Sequence, residues 1–215
     1  HACGGAAALA GVIVLGAREG RFGRRGEKKS MQPFAASSIP LVTLGTFLLW
    51  FGWFGFNGFS QLAMGTFDDV NAISKIAVNT HLAGAAGTVT GAALTRLIGG
   101  KTDIVMMLNG ALAGLVAITA EPLTPGPITA MIIGSIGAMI MYFGTKMLES
   151  YGLDDVVGAI PVHMFAGIFG TLVVPFTNPD TSFGAQLIGV ISVCIFSFVL
   201  SYITFSSLKS TIGLR

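Results

Sequence analysis

The sequence predicts an all-α bundle of membrane-spanning helices. Of its 215 residues, 53% are hydrophobic and only 10% are charged, and the mean hydropathy is +0.78. An average soluble domain is about 25% charged, so this chain lacks the polar residues that a water-facing surface needs. The 30 glycines also favour lipid as the solvent, because small residues allow membrane helices to approach closely.

Seven apolar segments approach the roughly 20 residues that a helix needs to cross a bilayer. Turn-forming sequences separate several of them, at Gly99, at Glu121 to Pro127 and at Thr177 to Ser182. The longest polar stretch, Arg18 to Ser30, is too short for a soluble domain. We therefore expect one domain over residues 1–215, with spans at approximately 1–17, 38–62, 70–98, 104–120, 127–148, 156–176 and 183–207.

Basic residues lie almost entirely on one side of this layout. If the first segment ends in the cytoplasm, Lys75 is the single basic residue on the outer side. Such a bias indicates orientation under the positive-inside rule. The basic run from Arg18 to Lys29 could instead bind anionic lipid or nucleic acid, but a topology signal is the favoured interpretation. We expect a multi-pass protein of a bacterial inner membrane, surrounded by lipid, with no nucleic-acid partner.

All three histidines, His1, His81 and His163, fall within predicted spans. Ionisable groups are costly in a membrane and usually face the bundle interior or a pathway. A ring bonded to nearby backbone is the alternative for His163, and a packing role is favoured for His81. Zinc takes three or four protein ligands, and the spacing does not favour convergence, so no metal or other cofactor is expected. Nucleophile motifs are absent from the sequence, and we expect no enzyme.

One segment is unusually rich in aromatic residues, the stretch LLWFGWFGFNGFS from Leu48 to Ser60. Trp53 and Phe56 are three residues apart and share a helix face, and Asn57 and Ser60 continue nearly the same stripe. Aromatic faces attract cations once water is removed, and a hydroxyl oxygen accepts hydrogen bonds. A cation-handling surface and an interfacial aromatic belt are equally compatible with these residues.

Four stretches, in order along the chain, resemble the ammonium transporter family, Amt/Mep/Rh. They are HACGGAAALAGVIVLGAR at His1, LLWFGWFGFNGFS at Leu48, NGALAGLVAITA at Asn109 and LDDVVGAIPVHMFAGIFGT at Leu153. The resemblance implies an eleven-helix fold whose first ten helices form two inverted halves of five. This chain would then run from the end of the fifth helix to the eleventh, as the second half of that fold. It would lack about half of the protein, so residues 1–215 alone are expected not to conduct.

The resemblance also implies roles for five residues. His1 and His163 match the paired pore histidines, and Trp53 matches an aromatic residue that lines the dry pore. Phe56 matches one of two stacked phenylalanines that gate the outer mouth, and Ser60 matches a hydroxyl of the outer cation site. Two departures from the family pattern stand near the second histidine. Many members have an aspartate where this chain has Gly158, and IPVHMF replaces the common FGVHGV.

By this resemblance we expect an ammonium transporter. Ammonium would be recruited at the outer mouth and deprotonated, and ammonia would pass through a dry pore along the paired histidines. The alternatives are an ammonium-sensing membrane domain with little flux, a neutral gas channel of the Rh type, and a membrane enzyme that uses the histidines and a metal. The family also implies a homotrimer and contact with a PII-type regulator on the cytoplasmic face.

Overall fold

The computed structural model describes residues 1–22 and 34–214. Within these residues all regular structure is helical, without a β-strand, which confirms the predicted all-α class. The basic run from residue 23 to Lys29 lies outside the described residues. The helices are α1 (Ala2–Leu15), α2 (Ile39–Gly58), α3 (Phe67–Gly99), α4 (Ile104–Ile118), α5 (Pro127–Ser150), α6 (Ala166–Val173) and α7 (Phe183–Thr211), with a π-helix at Ile160–Phe165 and 3₁₀ turns at Phe59–Gln61 and Val174–Phe176.

Side-chain caps set where several helices begin. Ser38, Asp103 and Ser182 each accept a hydrogen bond from a backbone N–H in the first turn of α2, α4 and α7. Thr66 and Asp69 form a reciprocal capping box at the start of α3. Because the box satisfies free N–H groups of the first turn, α3 begins at Phe67, three residues before the predicted start of the third span.

The helix of the sixth span starts later in the structure than the predicted residue 156. Gly158 has a φ of +79°, a left-handed conformation that interrupts a right-handed helix. The Asp155 carboxylate accepts hydrogen bonds from the N–H groups of Gly158, Ala159 and Ile160 at 3.1, 3.0 and 2.7 Å. Asp155 thus caps a helix that follows Gly158, instead of lying at the edge of one that starts at Val156.

That helix opens as a π-helix over Ile160–Phe165. Pro161, which has no N–H to donate, stands in its first turn, and the Ala166 N–H bonds to the Pro161 carbonyl five residues earlier. A π-helix is rare and is often found at a functional site. His163 lies in this segment.

Small residues pack α3, α4 and α5 into one unit. A Cβ on Gly87 of α3 would overlap the carbonyl oxygen of Gly110 in α4, and a Cβ on Gly110 would lie 2.6 Å from the Gly87 oxygen. A Cβ on Gly134 of α5 would likewise overlap the carbonyl of Ala83 in α3. These backbone-to-backbone contacts are the packing that small residues allow in membranes. In contrast, α1 packs mainly on α7 and on the π-helix.

Membrane-spanning length is clearest in three helical segments. Ile39–Gln61, Pro127–Ser150 and Phe183–Thr211 are long and apolar enough to cross a bilayer by length and composition. Helix α3 is longer, at 33 residues, but its ends carry Asp68, Asp69 and Arg96. The remaining apolar helices, Ala2–Leu15, Ile104–Ile118 and Ile160–Phe176, are shorter.

An ion cluster joins the ends of three segments on the side predicted to face the cytoplasm. Arg18, just after α1, donates to Asp154 through Nε and Nη2, both at 2.8 Å, and through its backbone N–H at 2.9 Å. Arg21 bonds to Glu149 at 3.0 Å and lies 3.6 Å from Asp154. Lys146 pairs with Glu149 at 3.3 Å. The cluster fastens the end of α1 to the chain that leads into the π-helix.

Candidate functional site

Two histidines that are 162 residues apart in the chain meet where α1 contacts the π-helix, with His1 exposed and His163 half-buried. The Nδ1 atoms of His1 and His163 lie 3.2 Å apart, and their rings meet edge to edge, with centroids 5.2 Å apart and an interplanar angle of 20°. His1 precedes the first turn of α1, and His163 belongs to the π-helix. We call these two residues the histidine pair.

Glycines bring the two backbones close enough for this contact. A Cβ on Gly5 of α1 would overlap the backbone nitrogen of Met164, the residue after His163. A Cβ on Gly167 of α6 would lie 3.0 Å from the Ala2 nitrogen and 3.3 Å from the His1 Cβ. A methyl group on Gly5 would push α1 away from the π-helix, and one on Gly167 would require α1 and α6 to move apart by a few tenths of an ångström.

The tautomers of the histidine pair are linked. A hydrogen bond between the Nδ1 atoms needs one ring to donate and the other to accept. In the neutral pair, the donating ring has an unprotonated Nε2, and the accepting ring carries its proton on Nε2. The pair therefore presents one donor and one acceptor outside their mutual bond. A small polar molecule that can both donate and accept a hydrogen bond suits such a surface.

Trp53 stacks on the ring of His1. Its ring lies 4.9 Å from the His1 ring at an interplanar angle of 17°, and the residue is only 6% exposed. The indole Nε1 donates to the Thr119 hydroxyl at 2.7 Å, and that hydroxyl donates to the Leu115 carbonyl at 2.7 Å. Three rings, Trp53, His1 and His163, therefore form one row.

Phe56 lies at the edge of this row, towards the C-terminal end of α2. Its ring centroid is 5.7 Å from that of His1 and 6.3 Å from that of Trp53, and both contacts are tilted. The residue is 61% exposed. Ser60 lies one turn further along, in the 3₁₀ turn after α2, and its hydroxyl donates to the Phe56 carbonyl at 3.0 Å. Four of the five predicted site residues, all with ring side chains, thus contact one another in the structure. Ser60 hydrogen-bonds to the backbone of Phe56 and takes no part in these ring contacts.

His81 belongs to a different cluster. Its ring packs against Trp50 at 5.5 Å and Phe54 at 6.2 Å, on the face of α2 that meets α3. Within residues 1–22 and 34–214, no three His, Cys, Asp or Glu side chains lie close enough to hold a metal ion.

Three residues that position the site were not singled out as site residues from the sequence. Thr119 binds the Trp53 indole, and Gly5 and Gly167 admit the close backbone approach. Each lies in an apolar helix where threonine and glycine are common, so the sequence carried no signal that set them apart.

Comparison with known proteins identifies the family of this chain. The model of the Ammonium Transporter Family matches residues 1–215. The chain belongs to this family. It is 40% identical to the ammonium transporter Amt2 of Archaeoglobus fulgidus, over 100% of this chain and 49% of that protein. The family consists of transporters and not of enzymes, and its members are integral, multi-pass membrane proteins.

Solved structures agree with this assignment. A sensor Amt protein superposes with a TM-score of 0.90 at 33% identity, covering 100% of this chain and 54% of its own. Mep2 of Candida albicans superposes with a TM-score of 0.84 at 26% identity, covering 99% of this chain and 49% of its own. These results confirm the predicted resemblance to Amt/Mep/Rh proteins. The chain spans about half the length of the curated relatives it matches.

Proposed function

We propose that this chain forms part of the conduction pathway of an ammonium transporter. The observation that carries the proposal is the row of Trp53, His1 and His163 formed by apolar helices, in which Trp53 is buried, His163 half-buried and His1 exposed. Ammonium and potassium are similar in size, so size alone does not separate them. Ammonium differs because it donates hydrogen bonds and can lose a proton.

The ring row suits the neutral form of the substrate. A bare cation in a water-excluded, apolar surrounding is very costly, because no water or carboxylate replaces its hydration shell. Ammonia carries no charge and both donates and accepts hydrogen bonds. The one donor and one acceptor of the neutral histidine pair match that molecule.

Deprotonation requires a place for the proton. Two imidazoles in contact share one proton and titrate as a pair, so their affinity for protons belongs to the pair rather than to either ring. If both rings were protonated, two positive charges would lie about 3.2 Å apart and repel each other. The pair is therefore expected to take up at most one proton beyond its neutral form. A relay of the released proton through the pair would make net transport electrogenic.

Recruitment at the outer mouth is assigned to Phe56 and Ser60. An aromatic face attracts a partly desolvated cation, and Ser60 still offers oxygen lone pairs after its hydroxyl donates to the Phe56 carbonyl. Phe56 would gate entry to the ring row, since its ring stands beside both His1 and Trp53.

A sensor that binds ammonium with little flux is the second candidate function. The sensor Amt protein, which covers 100% of this chain at 33% identity, favours it. For either function we propose a homotrimer in a bacterial inner membrane, with a PII-type regulator on the cytoplasmic face. The net basic charge of that face supports a cytoplasmic orientation.

Growth of yeast on low ammonium tests the proposal. The complete reading frame that encodes this chain is expressed in cells without their own ammonium transporters, beside His163→Ala and His81→Ala at matched membrane abundance. We expect growth with the unmodified protein and with His81→Ala, and loss of growth with His163→Ala. Growth of the His163→Ala strain would refute a required role for the pair. No growth with the well-inserted unmodified protein would favour the sensor.

A further inference from the structure

We propose that Thr119 is a positioning residue that holds the Trp53 ring against His1 and thereby sets which small amine passes the histidine pair. This inference rests on the proposed function, since it assigns selectivity to the same row of rings. Thr119 lies at the end of α4 and takes no part in the row itself. It acts through the indole of Trp53.

The Thr119 hydroxyl donates one hydrogen bond and accepts another. Its proton is donated to the Leu115 carbonyl at 2.7 Å, so its oxygen faces Trp53 as an acceptor, at 2.7 Å from the indole Nε1. A hydroxyl that could rotate freely would accept a range of indole orientations. Here the bond to the α4 backbone fixes the direction of the acceptor, and the indole plane follows it.

A second tryptophan shows that this bond is not a general requirement of α2. Trp50 lies one turn before Trp53, and its Nε1 is buried without a hydrogen-bond partner among the described residues. The two indoles on α2 therefore differ in hydrogen bonding, since the Nε1 of Trp53 has an acceptor and that of Trp50 has none among the described residues. The indole that stacks on the histidine pair is held in place by a hydroxyl, and the indole beside His81 is not.

The orientation of the Trp53 indole decides how much space is open beside the face of the His1 ring. The His1 ring stacks on the Trp53 indole at 4.9 Å and meets His163 edge to edge through the Nδ1 atoms, which are 3.2 Å apart. If the indole loses its acceptor, its buried N–H must find another partner or remain unpaired, which favours rotation of the ring. A rotated indole no longer covers one face of the His1 ring. The added space admits methylamine, which carries one methyl group, more easily than the unmodified protein does.

Selectivity between ammonium and methylammonium tests the inference. We would measure transport of both substrates by the protein from the complete reading frame, with Thr119→Val, Thr119→Ser and Thr88→Val at matched abundance. Thr119→Val keeps the side-chain shape and removes the acceptor, and Thr119→Ser keeps the hydroxyl. Thr88→Val is the matched control, because the Thr88 hydroxyl likewise donates to the carbonyl four residues earlier, at 2.8 Å.

We expect the ratio of methylammonium to ammonium transport to rise about three- to tenfold in Thr119→Val, which is part of the roughly 10- to 200-fold discrimination that a pocket gives for one methylene group. Thr119→Ser and Thr88→Val should keep the ratio of the unmodified protein. A purely structural role would lower transport of both substrates in proportion and leave the ratio unchanged. An unchanged ratio in Thr119→Val would overturn the inference.

A second variant decides the matter if Thr119→Val does not accumulate. Trp53→Phe removes the indole N–H and leaves Thr119 in place, so it should raise the same ratio. Where Thr119→Val does accumulate, the double variant should raise the ratio no further than either single variant, because residues that act as one unit are not additive. A ratio unchanged in Trp53→Phe would also overturn the inference. Absence of transport by the unmodified protein would overturn the proposed function, whereas normal transport that depends on His163 with an unchanged ratio would overturn only the role of Thr119.

Discussion

Gly5 and Met164 touch backbone to backbone, one turn of α1 away from His1 and one residue after His163. A Cβ built on Gly5 would overlap the Met164 nitrogen. The contact thus fixes the distance between α1 and the π-helix at the level of the histidine pair. Because backbone atoms cannot move aside as a flexible side chain can, the separation of the two rings depends on a missing methyl group.

Gly5→Ala should therefore destabilise the protein and separate the histidines. Overpacking of this kind costs about 1–3 kcal/mol, and we expect a lower unfolding temperature in detergent together with reduced transport. Gly4→Ala is the matched control, because a Cβ on Gly4 meets nothing within 4 Å. Equal stability of the two variants would show that the backbones adjust without cost.

The departure from the family pattern at Gly158 has a local cause. Its φ of +79° is rarely adopted by residues with a side chain, and a Cβ there would lie 2.7 Å from the Asn109 Nδ2. That amide donates to the Val157 carbonyl at 3.0 Å. In Gly158→Ala the left-handed backbone costs about 1–2 kcal/mol, and displacement of Asn109 adds to this.

Gly152→Ala separates these two contributions. Gly152 also has a positive φ, +73°, but a Cβ on it meets nothing within 4 Å. Thermal unfolding should therefore show a smaller loss of stability for Gly152→Ala than for Gly158→Ala. A larger loss at Gly152 would contradict the role assigned to Asn109.

The ion pair of Arg18 and Asp154 should make stability depend on pH. Hydrogen bonds from the Arg18 side chain hold the pKa of Asp154 below its ordinary value of 3.8, although burial opposes the shift. A carboxyl group with a lowered pKa stabilises the folded state above its unfolded pKa. That stability is lost as the pH falls through the lower, folded pKa.

Unfolding temperatures between pH 3 and pH 7 measure this effect. Stability of the unmodified protein should be at its full value above about pH 4.5 and fall below about pH 4. Asp154→Asn should be less stable at pH 7 by about 2 kcal/mol, because a bond to a charged group is lost, and should show a shallower acid decline. Asp180→Asn, at an exposed carboxylate on the outer side, should keep the full pH dependence.

Lys209 contacts the C-terminal end of α1. Its Nζ donates to the Val14 carbonyl at 2.6 Å, in the last turn of α1, where a positive charge also complements the helix dipole. Lys209→Met should lower the unfolding temperature, by less than Gly5→Ala because the side chain is exposed. Lys101→Met, at an exposed lysine between α3 and α4, should leave it unchanged.

Much of the fold follows from local patterns in the sequence. Length and hydropathy indicate seven helical segments, and Gly16, with a φ of +81°, and Gly100, with a φ of +74°, end α1 and α3 near the predicted limits. The π-helix was not predicted, because hydropathy is the same for a π-helix and an α-helix. Its cause lies in the combination of Gly158, Pro161 and the capping carboxylate of Asp155.

The site was predicted through residue types that are rare in a membrane. His1, His163 and Trp53 attract attention by their chemistry alone, and the resemblance assigned them a common place. Thr119 could not be found in the same way, since a threonine in an apolar helix most often bonds to its own backbone. Only the position of the indole beside it gives its hydroxyl a second partner.

The packing of α1 has a consequence for the order in which the protein is made. Helices α3, α4 and α5 are neighbours in the chain and contact one another, so they can associate as they leave the ribosome. His1 meets a residue 162 positions later, and a ribosome adding 5–20 residues per second needs roughly 10–30 s to reach it. During that time α1 lacks its neighbours α7 and the π-helix and is exposed to proteases and chaperones, and the two imidazoles can join only after α2 to α5 have been synthesised.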